Sequence, residues 1–332
     1  MRVLVISHAY AAPINRQKLA ALARRPGLEV SLLLPRRWRE GAGAGARERL
    51  TESGREEGYS IFAGDVWFPG RVTGHFYRGG LLRALREARP DVIHLEEEPW
   101  SVVAAQVLAA AGMRRPRPRL ILFSFENLDL SLPWYYRAVE RLALARAEVI
   151  IGAGEGARAR LQRRGADPER LTVLPQFGLD PALFRPPGPG ERSGGFTVGF
   201  IGRMVRDKGV DVLLRALAAL AGEWRALLVG DGPARAECEA LAASLGLGER
   251  VEFAGWRAHE EVPALLRRMD ALALPARSMP TWTEQFGHVL IEAMSSGAVP
   301  VGSDSGEIPR VIGEEGLVFP EEDAEALAGA LG

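Results

Sequence analysis

Phe196-Thr197-Val198-Gly199-Phe200-Ile201, then Gly202-Arg203-Met204-Val205-Arg206-Asp207-Lys208-Gly209, then Val210–Ala221 is the stretch on which the fold turns. Six mostly apolar residues read as a buried strand, a glycine-bearing turn follows, and apolar residues at helical spacing come next. Strand, turn and helix in that order are half of a βαβ unit. The pattern continues downstream, with strands predicted at Ala226–Val229, Val251–Phe253, Ala271–Leu274, Ala298–Gly302 and Leu317–Phe319. Helices are predicted between and after them at Ala234–Leu245, Glu261–Arg268, Gly287–Ser295 and Glu322–Leu331.

Upstream the same alternation occurs independently. Strands are predicted at Arg2–His8, Glu29–Leu34, Asp91–Leu95, Leu120–Phe125, Glu148–Ile151 and Leu171–Pro175. Helical patterns occupy Asn15–Arg24, Gly80–Ala88, Ser101–Ala111, Tyr135–Ala145 and Glu155–Arg164. The Gly-, Arg- and Glu-rich stretch Arg36–Gly58 reads as a mobile or partly helical excursion. Between the halves, Pro186-Pro187-Gly188-Pro189-Gly190-Glu191-Arg192-Ser193-Gly194-Gly195 can join neither sheet nor helix and reads as a linker. The chain therefore divides into residues 1–185, a linker at 186–195, and residues 196–332. The expected class is α/β: two Rossmann-like, doubly wound domains facing each other across a cleft, with ligands at the carboxyl ends of the strands.

Composition narrows the function. The chain has 332 residues, more than one hydrophobic core usually serves. No apolar run reaches the roughly 18–20 residues that span a bilayer, and the first one ends at His8, too brief for a signal-peptide core. The single cysteine, Cys238, excludes an internal disulfide and a cysteine-rich metal site. The expected location is cytoplasmic. Charge is unevenly divided: residues 1–190 hold 29 Arg/Lys against 20 Asp/Glu, and residues 191–332 hold 13 against 22. The excess of +9 in the first half fits an anionic partner, here a peripheral contact with the inner face of a membrane or a phosphate-bearing acceptor. Scattered solvated charges account for it equally well.

Of the 42 basic residues only Lys18 and Lys208 are lysine. A compact ammonium where arginine otherwise serves points to a phosphate contact. Lys208 stands five residues after Arg203 on the turn quoted above, so the two can place their charges on one phosphate pair. The helix that follows adds backbone N–H donors. A second constellation is Glu284-Gln285-Phe286-Gly287-His288-Val289-Leu290-Ile291-Glu292. Its spacing puts Glu284 in a loop and Glu292 on the helix beginning near Gly287, whose first N–H groups can meet a phosphate. Glu292 there suits acceptance from a ribose diol, but taken singly an ordinary amphipathic helix with a solvated Glu292 is the simpler reading.

The segment Glu284–Glu292, with its two glutamates eight residues apart, closely resembles the E-x7-E signature of retaining glycosyltransferases of family GT4, which have the GT-B fold. Further matches follow in the family's order: G-R-M-V-R-D-K-G at 202–209, L-L-V-G-D-G-P at 227–233, V-E-F-A-G-W at 251–256 and V-P-V-G-S-D-S-G at 299–306. L-P-Q-F-G-L-D-P-A-L-F-R-P at 174–186 resembles the lead into the interdomain linker.

The resemblance implies transfer of a sugar from a UDP-, GDP- or ADP-linked donor to a sugar or lipid-linked acceptor, in envelope polysaccharide or glycolipid synthesis, with no cofactor and no metal at the reacting phosphates. Arg203, Lys208 and Glu284 would be catalytic. Gly202, Gly230, Phe286, Gly287, His288, Val289 and Glu292 would bind the nucleotide sugar. The sequence fits a metal-free reading, with no Asp-x-Asp after a strand and no histidine or cysteine cluster. No nucleic-acid partner is expected. The alternatives are a silent nucleotide-sugar-binding subunit and a GT-B-fold sugar-nucleotide epimerase.

In this fold the first half supplies the acceptor site. Where relatives often carry a Gly-Gly pair after the first strand, this chain has Ile14-Asn15 with Lys18 one turn on, so Asn15 and Lys18 are candidates for the donor-phosphate side. Glu96 stands where many relatives have a histidine. Three adjacent carboxylates are hard to bury together, so either one of Glu96-Glu97-Glu98 faces the cleft or the run merely acidifies the start of the next helix. Glu126 occupies the analogous loop one strand along. His8, His75, His94 and His259 show no partner pattern in sequence. The chain ends at Ala328-Gly329-Ala330-Leu331-Gly332, without the family's usual C-terminal crossover helix, so a truncation or looser domain tethering is expected.

Overall fold

The computed structural model describes residues 1–40, 47–192 and 194–332. The chain forms two compact units, Met1–Gly178 and Leu179–Gly332. The proline-rich segment thus belongs with the second unit; Ser193 within it lies outside the described residues.

In the first unit eight strands form one sheet in the order Leu171–Val173, Val149–Gly152, Arg119–Ser124, Val92–Leu95, Arg2–Ile6, Glu29–Pro35, Tyr59–Gly64 and Gly54–Glu56. All neighbours are parallel except the last pair. Leu4, Val5, Ile6, Leu32, Leu33 and Leu34 have no exposed surface, as expected of strands covered on both faces. Arg2–Ile6 pairs with Glu29–Pro35 on one side and Val92–Leu95 on the other. The chain therefore winds both ways from this strand, and the loops after Ile6 and Leu95 part at a topological switch point.

The second unit repeats the scheme with six parallel strands in the order Val251–Gly255, Trp224–Val229, Phe196–Ile201, Ala271–Leu274, Val299–Ser303 and Leu317–Phe319. Its switch point lies between Phe196–Ile201 and Ala271–Leu274. The helix Val210–Ala219 buries Val210, Val212, Leu213, Leu214, Ala216 and Leu217, and packs against the helix Ala324–Leu331.

Three predicted features change. The Arg36–Gly58 excursion is not helical in its described part: Arg37–Glu40 pairs antiparallel with Arg47–Leu50, and Gly54–Glu56 joins the main sheet, while residues 41–46 lie outside the described residues. Tyr59–Gly64, assigned to no strand by pattern, adds a parallel strand against Glu29–Pro35. A short helix, Ile308–Ile312, follows Val299–Ser303 and buries Ile308 and Ile312.

Candidate active site

Each predicted catalytic side chain of the second unit stands on a strand-end loop or the helix that follows. After Ile201, Gly202 N–H donates to Val229 O at 3.0 Å and Met204 N–H to Asp231 O at 2.9 Å, tying this turn to the next one along the sheet. Gly230 has φ +136°, and a Cβ there would lie 1.8 Å from Gly202 O, so only glycine permits the approach. Arg206–Lys208 then makes a single tight turn that presents the lysine.

Lys208 Nζ stands 2.5 Å from Glu284 Oε2 and 4.7 Å from the centre of the Trp282 ring. Glu284 is only 7% exposed. Its carbonyl accepts from Glu307 N–H at 3.0 Å, and Gly306, at φ +54°, lies so close that a Cβ would meet that carbonyl at 2.0 Å. A hydroxyl cluster supports this loop: Ser278 Oγ reaches Thr283 Oγ1 at 3.2 Å, Ser305 Oγ at 3.1 Å and Glu321 Oε1 at 2.5 Å. Arg203, on the same loop as Lys208, is exposed and makes no ion pair among the described residues.

Glu284 lies in the loop and Glu292 in the helix His288–Ser295. That helix begins after Gly287, at φ +78° and without a side-chain cap, with Phe286 and His288 rings 4.8 Å apart beside its first turn. Leu290, one turn in, is fully buried, which leaves Glu292 on the partly exposed side. The Glu292 side chain is 15% exposed, and His259 Nε2 lies 3.9 Å from its Oε1. Burial raises its carboxyl to about 7.

Arg277 was not among the sequence candidates. Its guanidinium meets both carboxylate oxygens of Asp211, at 2.9 and 2.6 Å, and donates to Arg206 O at 2.9 Å, while its backbone N–H donates to Asp207 O at 2.8 Å. It holds the turn that carries Lys208. The signal was its place three residues beyond the central strand Ala271–Leu274.

In the first unit the three consecutive glutamates are all turned inward, although three adjacent carboxylates were expected to be hard to bury together. Each has its own donors. Glu96 accepts from Lys18 Nζ at 2.6 Å, from Tyr10 Oη at 3.0 Å and from Gln176 Nε2 at 3.0 Å. Glu97 accepts from His8 N–H at 2.7 Å and lies 2.8 Å from His8 Nδ1. Glu98 accepts from Ser124 Oγ at 2.7 Å, Phe125 N–H at 2.9 Å and Glu126 N–H at 3.1 Å, with burial raising its carboxyl to about 7. Adjacent carboxylates are tolerated because they point to separate partners.

The structure thus joins Lys18 to Glu96 and Glu98 to the Glu126 backbone. Asn15 instead donates through Nδ2 to Ala9 O at 2.7 Å, and Glu126 Oε1 accepts from Leu128 N–H at 2.9 Å. The absence of a histidine cluster is also corrected, since His8 and His75 converge on Glu97. Residues 67 and 22 positions apart share no local pattern, which is why spacing did not reveal them.

Two largely parallel, doubly wound sheets, each with polar side chains at its switch point, define a Rossmann-like α/β architecture. Residues 195–332 match the family described as Glycosyl transferases group 1, and residues 12–176 match the Glycosyl transferase 4-like domain. The chain is 30% identical over 262 residues to a GDP-mannose-dependent alpha-(1-6)-phosphatidylinositol monomannoside mannosyltransferase of Mycolicibacterium smegmatis, covering 72% of this chain and 67% of that one. It is 30% identical over 256 residues to a 2-deoxystreptamine glucosyltransferase of Streptomyces kanamyceticus, covering 67% and 61% respectively. A D-inositol 3-phosphate glycosyltransferase of Nocardia farcinica is 32% identical over 216 residues, 58% of this chain and 46% of its own. The chain thus spans roughly half to two thirds of these relatives.

Among solved structures, Alr3699/HepE of Anabaena in complex with UDP superposes with a TM-score of 0.70 at 20% identity, over 100% of this chain and 89% of that one. Sucrose-phosphate synthase of Thermosynechococcus elongatus does so with the same TM-score, identity and coverage. The chain belongs to the GT4 family of glycosyltransferases and has the GT-B fold.

Proposed function

We propose that the chain transfers a sugar from a nucleotide-sugar donor to a hydroxyl acceptor with retention of anomeric configuration. The observation that carries this reading is the Lys208–Glu284 pair at the second switch point, with exposed Arg203 on the same loop. In this role Arg203 and Lys208 neutralise the departing diphosphate, Glu284 orients the donor sugar, and Glu292 accepts from the ribose hydroxyls. The bond from the anomeric carbon to the phosphate oxygen breaks, the acceptor oxygen bonds to the same face, and its proton passes to the departing phosphate. Preorganised cations at developing charge are the largest contribution such a site makes. The relatives' names, a GDP-mannose-dependent mannosyltransferase and a glucosyltransferase, support a hexose donor. The first unit, in this reading, binds the acceptor.

Thermal denaturation with UDP, GDP, ADP and their sugars is expected to show one nucleotide family raising the melting temperature, since a ligand bound only to the folded state stabilises it. The product formed from that donor should keep its anomeric configuration by proton NMR. No stabilisation by any nucleotide, or an inverted product, would refute the reading.

A pH effect follows from Glu292. Its carboxyl is raised to about 7, so the folded state holds the proton more tightly than the unfolded chain. Its contribution to stability is full below the ordinary carboxylate range and is lost as pH rises through about 7. Diol recognition needs the ionised form, so nucleotide affinity should rise over the same interval. Glu292→Gln should flatten that pH dependence, weaken nucleotide binding at pH 8 by roughly tenfold, and raise the thermal midpoint at pH 8. Calorimetric titration at pH 6 and pH 8 measures it, and an unchanged pH profile in the variant would remove Glu292 from the diol site.

A further inference from the structure

The first unit contains a buried cluster that the sugar-transfer chemistry does not use. His8 follows strand Arg2–Ile6, Glu97 follows strand Val92–Leu95, and His75 immediately precedes the short strand Phe76–Tyr77. Their ligand atoms all lie within 4.8 Å of one another, the one such group among the described residues. The His75 and Glu97 side chains have no exposed surface, and that of His8 is 18% exposed.

The hydrogen-bonding directions are informative. His75 Nδ1 lies 3.0 Å from Arg71 O and 3.0 Å from Val72 O. Both are acceptors only, so Nδ1 carries the proton and Nε2 presents a lone pair. Nε2 is buried without a hydrogen-bond partner among the described residues and faces Glu97 Oε1 at 3.7 Å. Two acceptors thus confront each other out of water, an arrangement that costs free energy unless a cation lies between them. A backbone carbonyl bonded to one imidazole nitrogen is also the usual support for a histidine whose other nitrogen binds a metal.

On His8, Nδ1 faces the same carboxylate at 2.8 Å. Trp38 packs against both rings, 4.6 Å from His8 and 4.8 Å from His75, and limits their rotation. Ligand atoms on a tetrahedral zinc stand about 3.3 Å apart, from metal–ligand bonds of about 2.0–2.2 Å. The 2.8 and 3.7 Å separations bracket that value. Two imidazoles and one carboxylate are a borderline-soft donor set suited to zinc, with the fourth position left to water.

We propose that His8 Nδ1, His75 Nε2 and Glu97 form a binding site for a zinc-like divalent cation, which ties together the strand-end loops at the first unit's switch point. On binding, the proton shared by His8 and Glu97 leaves to solvent and the cation takes its place. The site is remote in sequence from Arg203 and Lys208 and does not depend on the donor chemistry assigned to them.

The test uses the full chain, stripped with a chelator, desalted, and titrated without nucleotide. Zinc chloride is followed by calorimetry and cobalt chloride by visible absorption. The expected result is one metal per chain, with the intense cobalt band of a low-coordinate nitrogen–oxygen site. Binding should fall more than a hundredfold in His75→Gln and in His8→Asn. Because His75 is buried, circular dichroism is recorded for each variant, and partly exposed His8 decides the matter should His75→Gln fail to fold. Absence of stoichiometric binding in the parent chain, or equal affinity in a folded His8→Asn variant, overturns the proposal.

Discussion

Lys208→Ala is expected to lower kcat by about a thousandfold, because removing a preorganised charge from a transition state costs roughly 10²–10³ or more in rate. The ammonium is held 2.5 Å from Glu284 Oε2 and against the Trp282 ring, so its position is set before any substrate arrives. Arg277 keeps the turn beneath it rigid through Asp211, Arg206 and Asp207. Lys208→Arg should recover little of the activity, since a planar guanidinium needs a different approach to Glu284 and to a phosphate than a compact ammonium does. Exposed Arg203, which is less constrained, should show a smaller loss on conversion to alanine. Steady-state kinetics with the nucleotide sugar that stabilises the chain separates kcat from KM. A fall of less than tenfold in kcat would mean that Lys208 does not meet the leaving group.

The placement of the second unit's candidate residues was legible because it is local. Gly202–Gly209 directly follows a strand, and Gly287–Glu292 opens a helix, so element order alone places Lys208 and Glu292 on their carriers. The scarcity of lysine singled out one residue within that frame. Arg277 escaped notice because nothing distinguishes it from 39 other arginines until Asp211 is folded against it. Tyr59–Gly64 escaped because its six residues carry only a short alternation and owe their place in the sheet to pairing with the distant strand Glu29–Pro35. Ile308–Ile312 is too short, and has Pro309 in its first turn, to show a helical period. In the first unit the informative contacts join positions 8, 75 and 97, or 96, 10, 18 and 176. Such contacts come from strand order, which periodicity does not specify. The acidic run misled for a related reason: charge counted along the chain ignores that successive side chains leave a loop in different directions.

The largest effect on stability is expected from Glu140→Ala, which should destabilise the first unit by about 3–5 kcal/mol, the usual consequence of leaving a buried charge without its counter-ion. Arg160 is fully buried and Glu140 is 2% exposed. The guanidinium stacks 4.2 Å from the centre of the Trp100 ring, donates through Nε to Leu128 O at 3.0 Å and through Nη2 to Glu140 Oε1 at 2.8 Å. Its Nη1 is buried without a hydrogen-bond partner among the described residues, which leaves no spare contact there to compensate for a lost carboxylate. Glu98 also feels the Arg160 charge, but burial raises its carboxyl to about 7, which makes it an incomplete substitute near neutral pH. The double variant Glu140→Ala, Arg160→Met separates two explanations. If the cost comes from the uncompensated charge, replacing the guanidinium by an apolar chain against Trp100 should recover much of the loss, because an apolar side chain needs no counter-ion. If the cost comes from the cavity left by the glutamate side chain, the double variant should be no better than the single one. Urea unfolding followed by circular dichroism, with the two units' transitions fitted separately, distinguishes these outcomes. A Glu140→Ala loss below about 1 kcal/mol, inside the range of exposed pairs, would show that the ion pair is solvated in solution.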